Sequence, residues 1–208
     1  MLTNTTGCRN VAVGKRALKL NTEGCDNIAI GLNTLGANTT GDFNTGIGFA
    51  SLKANTTADN NSALGYCTLS ANTTGSFNTG IGLCSIYTNT TGGCNSALGN
   101  DSLRANTTGS ENTTVGSASM LLNTTGASNA AMGRSALRNN TTGANNVAVG
   151  EAALVANTTG TRNVAVGNNT LQTNTTGQYN VAIGHLALND NTTANSNVAI
   201  GTESLDVN

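Results

Sequence analysis

The sequence has no tryptophan, no proline and few aromatic or charged residues, which make up 3% and 9% of its 208 residues. A globular core of this size normally contains more large side chains. The formal net charge of −1 argues against a nucleic-acid partner, which would need a basic surface. No apolar run approaches the roughly 20 residues of a membrane span, so membrane insertion is not expected. Residues 1–4 do not resemble a signal peptide.

Abundant Asn, Thr and Gly are arranged in a repeat. An Asn-Thr pair recurs every 17 residues without insertion or deletion. With this Asn as position 1, the consensus is N-T-T-G-x-x-N-V-A-V-G-x-x-A-L-x-x. Self-similarity at a fixed period indicates a repeat architecture, and we treat 1–208 as a single repeat domain. The repeats begin at residues 4, 21, 38, 55, 72, 89, 106, 123, 140, 157, 174 and 191.

Each position in the repeat follows a rule. Position 7 is always Asn, position 11 is always Gly, and positions 10 and 15 are always large and apolar. Positions 9 and 14 are always small. Eighteen of the 19 charged residues lie at positions 5, 6, 12, 13, 16 and 17. These positions therefore face solvent, because an unpaired buried charge is costly.

The repeat length predicts an all-β fold. Seventeen residues are too few for a pair of helices, which takes about 30 or more. The segment N-V-A-V alternates large and small residues as a strand does, and a second short strand is expected over the A-L pair. We predict a parallel β-solenoid of twelve coils, stacked about 4.8 Å apart, with Gly at positions 4 and 11 turning the chain. Stacked Asn side chains would then hydrogen-bond along the axis.

The large apolar residues of positions 10 and 15 are the predicted core. Such a core is thin, and a narrow solenoid would have difficulty offsetting its chain entropy. We therefore expect a further face to be buried between chains. The residues predicted to be buried include Leu18, Leu52, Leu103, Leu154, Leu188, Val13, Ile47, Val149 and Ile183.

The repeat resembles two families of surface proteins. The block N-V-A-I-G at 180–184 and 197–201 is similar to the head repeats of trimeric autotransporter adhesins, whose motif runs N-S-V-A-I-G-x-x-S. The longer N-T-T-G-x-x-N-x-A-x-G-x-x-A-L form also resembles repeats of phage and virus tail-fibre proteins. The resemblance covers the whole chain and implies a left-handed, trimeric β-roll at a cell or virion surface. The family head repeats usually have fewer residues per coil.

Four of the five cysteines fall in matching pairs. Cys8 and Cys25 both occupy position 5 of adjacent coils, and Cys67 and Cys84 both occupy position 13. Stacking places the Cα atoms of each pair about 4.8 Å apart, inside the disulfide range. We predict both bridges, with free thiols as the alternative. Cys94 has no partner in this scheme.

The Asn-Thr-Thr triplet has two interpretations. It is an N-glycosylation sequon in eleven of the twelve coils, and Asn21-Thr22-Glu23 breaks it. The alternative, which we favour, is that Asn and Thr are ladder and turn residues. The candidate glycosylation sites are Asn4, Asn38, Asn55, Asn72, Asn89, Asn106, Asn123, Asn140, Asn157, Asn174 and Asn191.

No catalytic, cofactor-binding or metal-binding residues stand out. The single His, His185, lies at variable position 12, and the carboxylates are scattered without acid–base or calcium-loop spacing. We therefore expect a protein that is not an enzyme and takes no cofactor. Ice binding by Thr ladders is less favoured, because adjacent Thr side chains point to opposite faces of a strand.

The sequence thus predicts a structural fibre or adhesin segment at an extracellular or virion surface. The favoured function is a rigid shaft or receptor-binding fibre of a virus or phage. The alternatives are the head of a bacterial surface adhesin and a subunit of a homopolymeric extracellular filament. The expected partners are copies of the chain itself, as a homotrimer or a head-to-tail filament, and a cell-surface receptor or glycan. Coils at both ends follow the consensus, so we expect flanking domains or head-to-tail stacking.

Overall fold

The fold is a parallel β-solenoid that advances by one coil every 17 residues. It was obtained as a computed structural model, which describes residues 3–206. Each coil contributes one three-residue strand at positions 8 to 10, and the strands form one sheet in sequence order. The strands are β1 Val11–Val13, β2 Ile28–Ile30, β3 Thr45–Ile47, β4 Ser62–Leu64, β5 Thr79–Ile81, β6 Ser96–Leu98, β7 Thr113–Val115, β8 Ala130–Met132, β9 Val147–Val149, β10 Val164–Val166, β11 Val181–Ile183 and β12 Val198–Ile200.

The register of the sheet confirms the stacking prediction. Each residue pairs with its copy 17 residues on: Val11 lies opposite Ile28, and Ala12 lies opposite Ala29. Asn10 and Asn27 are stacked as well, since the Asn27 N–H donates to Asn10 Oδ1 at 2.9 Å. Equivalent Cα atoms of Cys8 and Cys25 are 4.7 Å apart. At this spacing the twelve strands form a rod about 50 Å long.

The predicted second strand is absent from the part of the chain that the structure describes. Positions 12 to 17 form turns, and the backbone has positive φ at positions 13 and 15 in every coil. At position 15, φ lies between 47° (Leu18) and 53° (Leu103). A β-strand requires extended backbone at each residue. The left-handed backbone at positions 13 and 15 therefore excludes a strand here. Of the two glycine positions, only position 11 has positive φ, between 124° and 142°.

The interior is made of Leu, Ala and Asn. The position-15 side chains of coils 1 to 11 are fully buried, as predicted for Leu18, Leu52, Leu103, Leu154 and Leu188. Small residues at positions 9 and 14 pack against them, for example Ala29 and Ala17. Most Asn residues of positions 1 and 7 are also buried. The core is therefore one apolar ladder flanked by small side chains and two amide ladders.

The prediction that position 10 is buried is wrong. Val13 is 56% exposed and Ile183 is 39% exposed, while Ile47 and Val149 are half-buried. The reason is the two-residue period of a strand, which places positions 7 and 9 on one face and positions 8 and 10 on the other. Asn at position 7 and Ala at position 9 face inward, so both large residues of each strand face outward.

Candidate functional site

The outward side of the sheet is the main candidate interaction surface. We define the outer sheet face as the residues of positions 8 and 10 in β1 to β12. Position 10 forms an unbroken apolar ladder in which exposure ranges from 38% at Ile30 to 69% at Ile200 among its exposed members. Its members are Val13, Ile30, Ile47, Leu64, Ile81, Leu98, Val115, Met132, Val149, Val166, Ile183 and Ile200. The ladder is therefore a continuous apolar stripe, and the largest apolar patch of a soluble protein is often functional.

Position 8 changes in character along the rod. Coils 1, 2 and 9 to 12 have Val or Ile there, which widens the apolar ladder to two columns. Coils 3 to 7 have Thr or Ser instead. Over β5 to β7, where side chains at position 8 are short, the face forms a shallow depression of about 230 Å³. It is lined in part by Ile81, Leu98 and Val115.

An aromatic pair extends this surface beside coils 3 and 4. Phe49 and Tyr66, both at position 12, stack with their ring centroids 4.9 Å apart and their planes 10° apart. The rings are 39% and 52% exposed. Exposed Leu side chains occupy the same position in the neighbouring coils, at Leu32 and Leu83. Near this end, the outer sheet face therefore continues across position 11 onto position 12.

The cysteine predictions have different outcomes. Cys8 and Cys25 form a disulfide that links coils 1 and 2, as expected from their shared position. Cys67 and Cys84 are free thiols, so the second predicted bridge is not formed; Cys94 is also free. A suitable Cα spacing is shared by all stacked pairs, but a bridge also requires side-chain bonds that face each other. The left-handed backbone of position 13 differs from that of position 5 in this respect.

The two free thiols of coils 4 and 5 are half-buried. Burial raises the pKa of the Cys84 thiol above its ordinary value, and the neighbouring Cys67 raises it further. The pKa of Tyr66 is also raised, first by the charge of an ionised Cys67 and then by partial burial. These shifts favour the neutral, less reactive thiol at Cys84.

Ten of the eleven candidate glycosylation residues are buried inside the solenoid, whereas Asn4 in the first coil is exposed. Among position-1 residues, Asn38, Asn106 and Asn174 are fully buried. The Asn38 Nδ2 donates to Asn21 Oδ1 at 2.8 Å and to the Gly41 carbonyl at 3.0 Å. The same two bonds recur along the rod, for example at Asn106. A glycan on Nδ2 would have to displace them, which favours the ladder interpretation of the triplet.

The two Thr residues of each triplet lie in different environments. At position 2 the hydroxyl bonds to a carbonyl of the next coil, as from Thr39 Oγ1 to Thr56 O at 3.0 Å. At position 3 the side chain is exposed, as in Thr40 and Thr108. The triplet therefore presents only one column of exposed Thr side chains on the outside of the rod. Ice binding is associated with a flat face of two Thr columns, which this triplet does not provide.

Surface charges pair between stacked coils. The Arg9 guanidinium binds the Asp26 carboxylate through two hydrogen bonds of 2.6 and 2.7 Å. The hydrogen bond and positive charge of Arg9 lower the pKa of Asp26, and the Asp26 carboxylate raises that of Arg9. Arg134 pairs with Glu151 in the same way. Oppositely charged residues at equal positions of adjacent coils therefore form ion pairs on the surface of the rod.

The described residues 3–206 contain no group of three or more His, Cys, Asp or Glu side chains that could hold a metal ion. His185 is exposed at position 12. No helix in this part of the chain is long and apolar enough to cross a membrane. No protein-family model matches the sequence, and no curated protein and no solved structure shows a significant match to it. The outer sheet face therefore remains the main basis for proposing a function.

Proposed function

We propose that the protein is a rigid structural segment of a surface fibre, the shaft or receptor-binding part of a virus or phage fibre, and that it assembles as a homotrimer. The observation that carries this proposal is the apolar ladder of position 10 on the outer sheet face. The ladder extends through all twelve strands without a single polar residue.

Burial of this ladder against copies of the chain would add the apolar core that the single solenoid lacks. Neighbouring outward side chains of one strand are about 7 Å apart, so over about 50 Å the stripe has a projected area of roughly 350 Å². This is comparable with the largest apolar patch of a typical soluble monomer, roughly 300 to 600 Å², and such patches are often functional. Full burial of an exposed Val, Ile or Leu contributes about 1.5 to 3 kcal/mol, and these side chains, already partly buried, would each contribute about half of that. Over the whole ladder the sum is of the same order as the cost of association.

A second copy of the chain fits this surface because it has the same axial period. Two rods aligned side by side present apolar residues every 4.7 Å, the Cα spacing between adjacent coils. Side chains of one ladder can then interdigitate with those of the other along the whole rod. Three copies around one axis would bury all three ladders in a closed, cyclic arrangement. The resemblance to trimeric adhesin and tail-fibre repeats supports the same assembly and a surface location.

The mass of the assembled particle tests the proposal. Three copies of the 20.8 kDa chain give about 62 kDa by sedimentation equilibrium. The double variant L98K/M132K places two charges in the ladder and should yield monomers with unchanged far-UV circular dichroism. The control T108K/T142K adds the same charge at exposed position 3 and should remain trimeric.

Three results would overturn the homotrimer. A wild-type mass of 20.8 kDa at about 100 µM protein would show that the ladder does not drive assembly. A dimer would retain the interface but exclude three-fold assembly. A continuous series of increasing masses, seen as long uniform fibres by electron microscopy, would favour the head-to-tail filament.

A further inference from the structure

A cavity that shares no residue with the outer sheet face lies beside coils 1 to 3. Its volume is about 220 Å³, and its lining combines the cations Arg16, Lys19 and Lys53 with the apolar side chains of Leu20 and Ala37. These residues belong to positions 13, 16 and 17, which form turns on the surface of the coils. The cavity opens at the surface between the side chains of coil 1 and coil 3.

Coil 2 contributes no side chain to the cavity at position 16. Gly36 is the only glycine at position 16; Lys19 precedes it and Lys53 follows it at the same position. No position-16 side chain therefore lies between the two lysines, and both line the cavity. Their Cα atoms are separated by two coils, about 9.5 Å.

The backbone does not require glycine at this position. Gly36 does not have the positive φ that position 11 has. An added Cβ would lie 3.2 Å from the Asn33 carbonyl oxygen, which is tight but is the only contact below 3.4 Å. The other eleven coils have a side chain at position 16, including Ser70 and Gln172. The backbone at residue 36 is therefore compatible with a side chain, which would project from the lining of the cavity.

The charges around the cavity have no counter-charge. Arg16, Lys19 and Lys53 are three of the nine basic residues in the chain. Within residues 3–206, the three ion pairs involve Arg9, Arg104 and Arg134, so no carboxylate lies within 4.0 Å of these three cations. Three like charges around one gap repel each other, and an anion between them would relieve that repulsion.

We propose that this cavity is an anion-binding site that accepts one sulfate or carboxylate group of an acidic polysaccharide. A planar guanidinium at Arg16 and two flexible ammonium groups suit a tetrahedral or planar oxyanion. The open cavity allows a long chain to continue beyond the bound group on either side. The polysaccharide assignment rests on the proposed surface fibre, whereas oxyanion binding follows from the cavity alone.

The experiment measures binding of dextran sulfate to the intact protein by calorimetry in about 50 mM NaCl, where screening is moderate. The triple variant R16N/K19Q/K53Q uses residues that other coils have at these positions, so it should fold, and affinity should fall at least tenfold. G36Q fills the cavity and leaves the net charge unchanged; its affinity should fall at least fivefold. The control R104Q/R134Q/R138Q removes three charges elsewhere and should change affinity less than twofold.

Each other outcome rejects part of the proposal. An equal loss in the control triple variant would show unspecific attraction to a basic surface. Unchanged binding by G36Q would show that the cavity is not the site. If inorganic sulfate binds as tightly as dextran sulfate, the site takes a free oxyanion and the polysaccharide assignment is wrong. Sedimentation of the same samples reports self-association separately, so failure of the trimer is distinguishable from failure of this site.

Discussion

The side-chain amide of Asn38 donates one hydrogen bond to the Asn21 Oδ1 and another to the Gly41 carbonyl. The first links two coils, and the second closes the turn within one coil. At position 7 the arrangement differs: the Asn27 Oδ1 accepts from both the backbone N–H and the Nδ2 of Asn44. An amide supplies donors and an acceptor in one planar group, which neither Asp nor Leu of similar size can do.

This relationship predicts a large cost for removal of one amide. In Asn106→Ala, the Asn89 Oδ1 and the Gly109 carbonyl each lose a donor, and the Asn123 Nδ2 loses one of its two acceptors. Because these groups stay buried, we expect a loss of about 3 kcal/mol in the free energy of unfolding. Urea unfolding followed by circular dichroism measures it. The exposed control Asn100→Ala should change the same quantity by less than about 0.5 kcal/mol.

Ile86 is the one β-branched residue at position 15, where φ is positive; its own φ is 49°. A β-branched side chain is poorly suited to left-handed backbone. We expect Ile86→Leu to raise the free energy of unfolding by about 1 kcal/mol, since it relieves strain and conserves volume. The reverse change, Leu69→Ile in the preceding coil, should lower it by a similar amount. Equal stabilities for both variants and wild type would contradict the strain argument.

The cysteine geometry predicts three free thiols per chain in oxidised protein: Cys67, Cys84 and Cys94. Thiol titration under denaturing, non-reducing conditions gives this number directly. One thiol would show that Cys67 and Cys84 do form a bridge in solution, and five would show that Cys8 and Cys25 do not. In the folded state, the raised pKa of Cys84 should make its alkylation at pH 8.5 slower than that of a small unhindered thiol.

The Arg9–Asp26 pair predicts an acid-sensitive contribution to stability in coils 1 and 2. Arg9 lowers the folded-state pKa of Asp26, so the stabilisation is fully present above the unfolded Asp pKa of about 3.9 and is lost as pH falls through the folded value. Titration of the Asp26 carboxyl by NMR should give a midpoint below 3.9. In Arg9→Gln the midpoint should rise; no change would mean that the pair does not form in solution.

The period, the register and the buried Leu ladder could be predicted from the sequence because each depends on exact repetition. The inward and outward faces of the strand could not be assigned from size alone. Large residues such as Ile81 were expected inside, but the small coil leaves room only for Asn78 and Gly80 on that side of β5. Position 7 could have predicted the inward face, because it lies two residues before position 9 and so on the same side of the strand. An invariant amide that must bond between coils determines that position 9 faces inward and position 10 outward.

Other features depend on side-chain directions that spacing does not give. The cysteines at positions 5 and 13 are equally close along the axis, yet only Cys8 and Cys25 are bonded. The turn at positions 12 to 17 needs left-handed Leu backbone, which no propensity scale favours, and stacking on the neighbouring coils offsets its cost. The cavity of coils 1 to 3 is bordered by Arg16, Lys19 and Lys53, which come together only when the coils are stacked.

Because the 17-residue register is unbroken, the length of the rod is proportional to the number of coils. Recombination between near-identical repeats would remove or add whole coils, and each event would change the length of the rod by one 4.7 Å step while every ladder stays aligned. Loss of 89–105, for example, would join Thr88 to Asn106 in phase. Loss of a single residue would instead shift all later side chains out of register. The length of the rod could therefore change in evolution by copy number alone, without redesign of any coil.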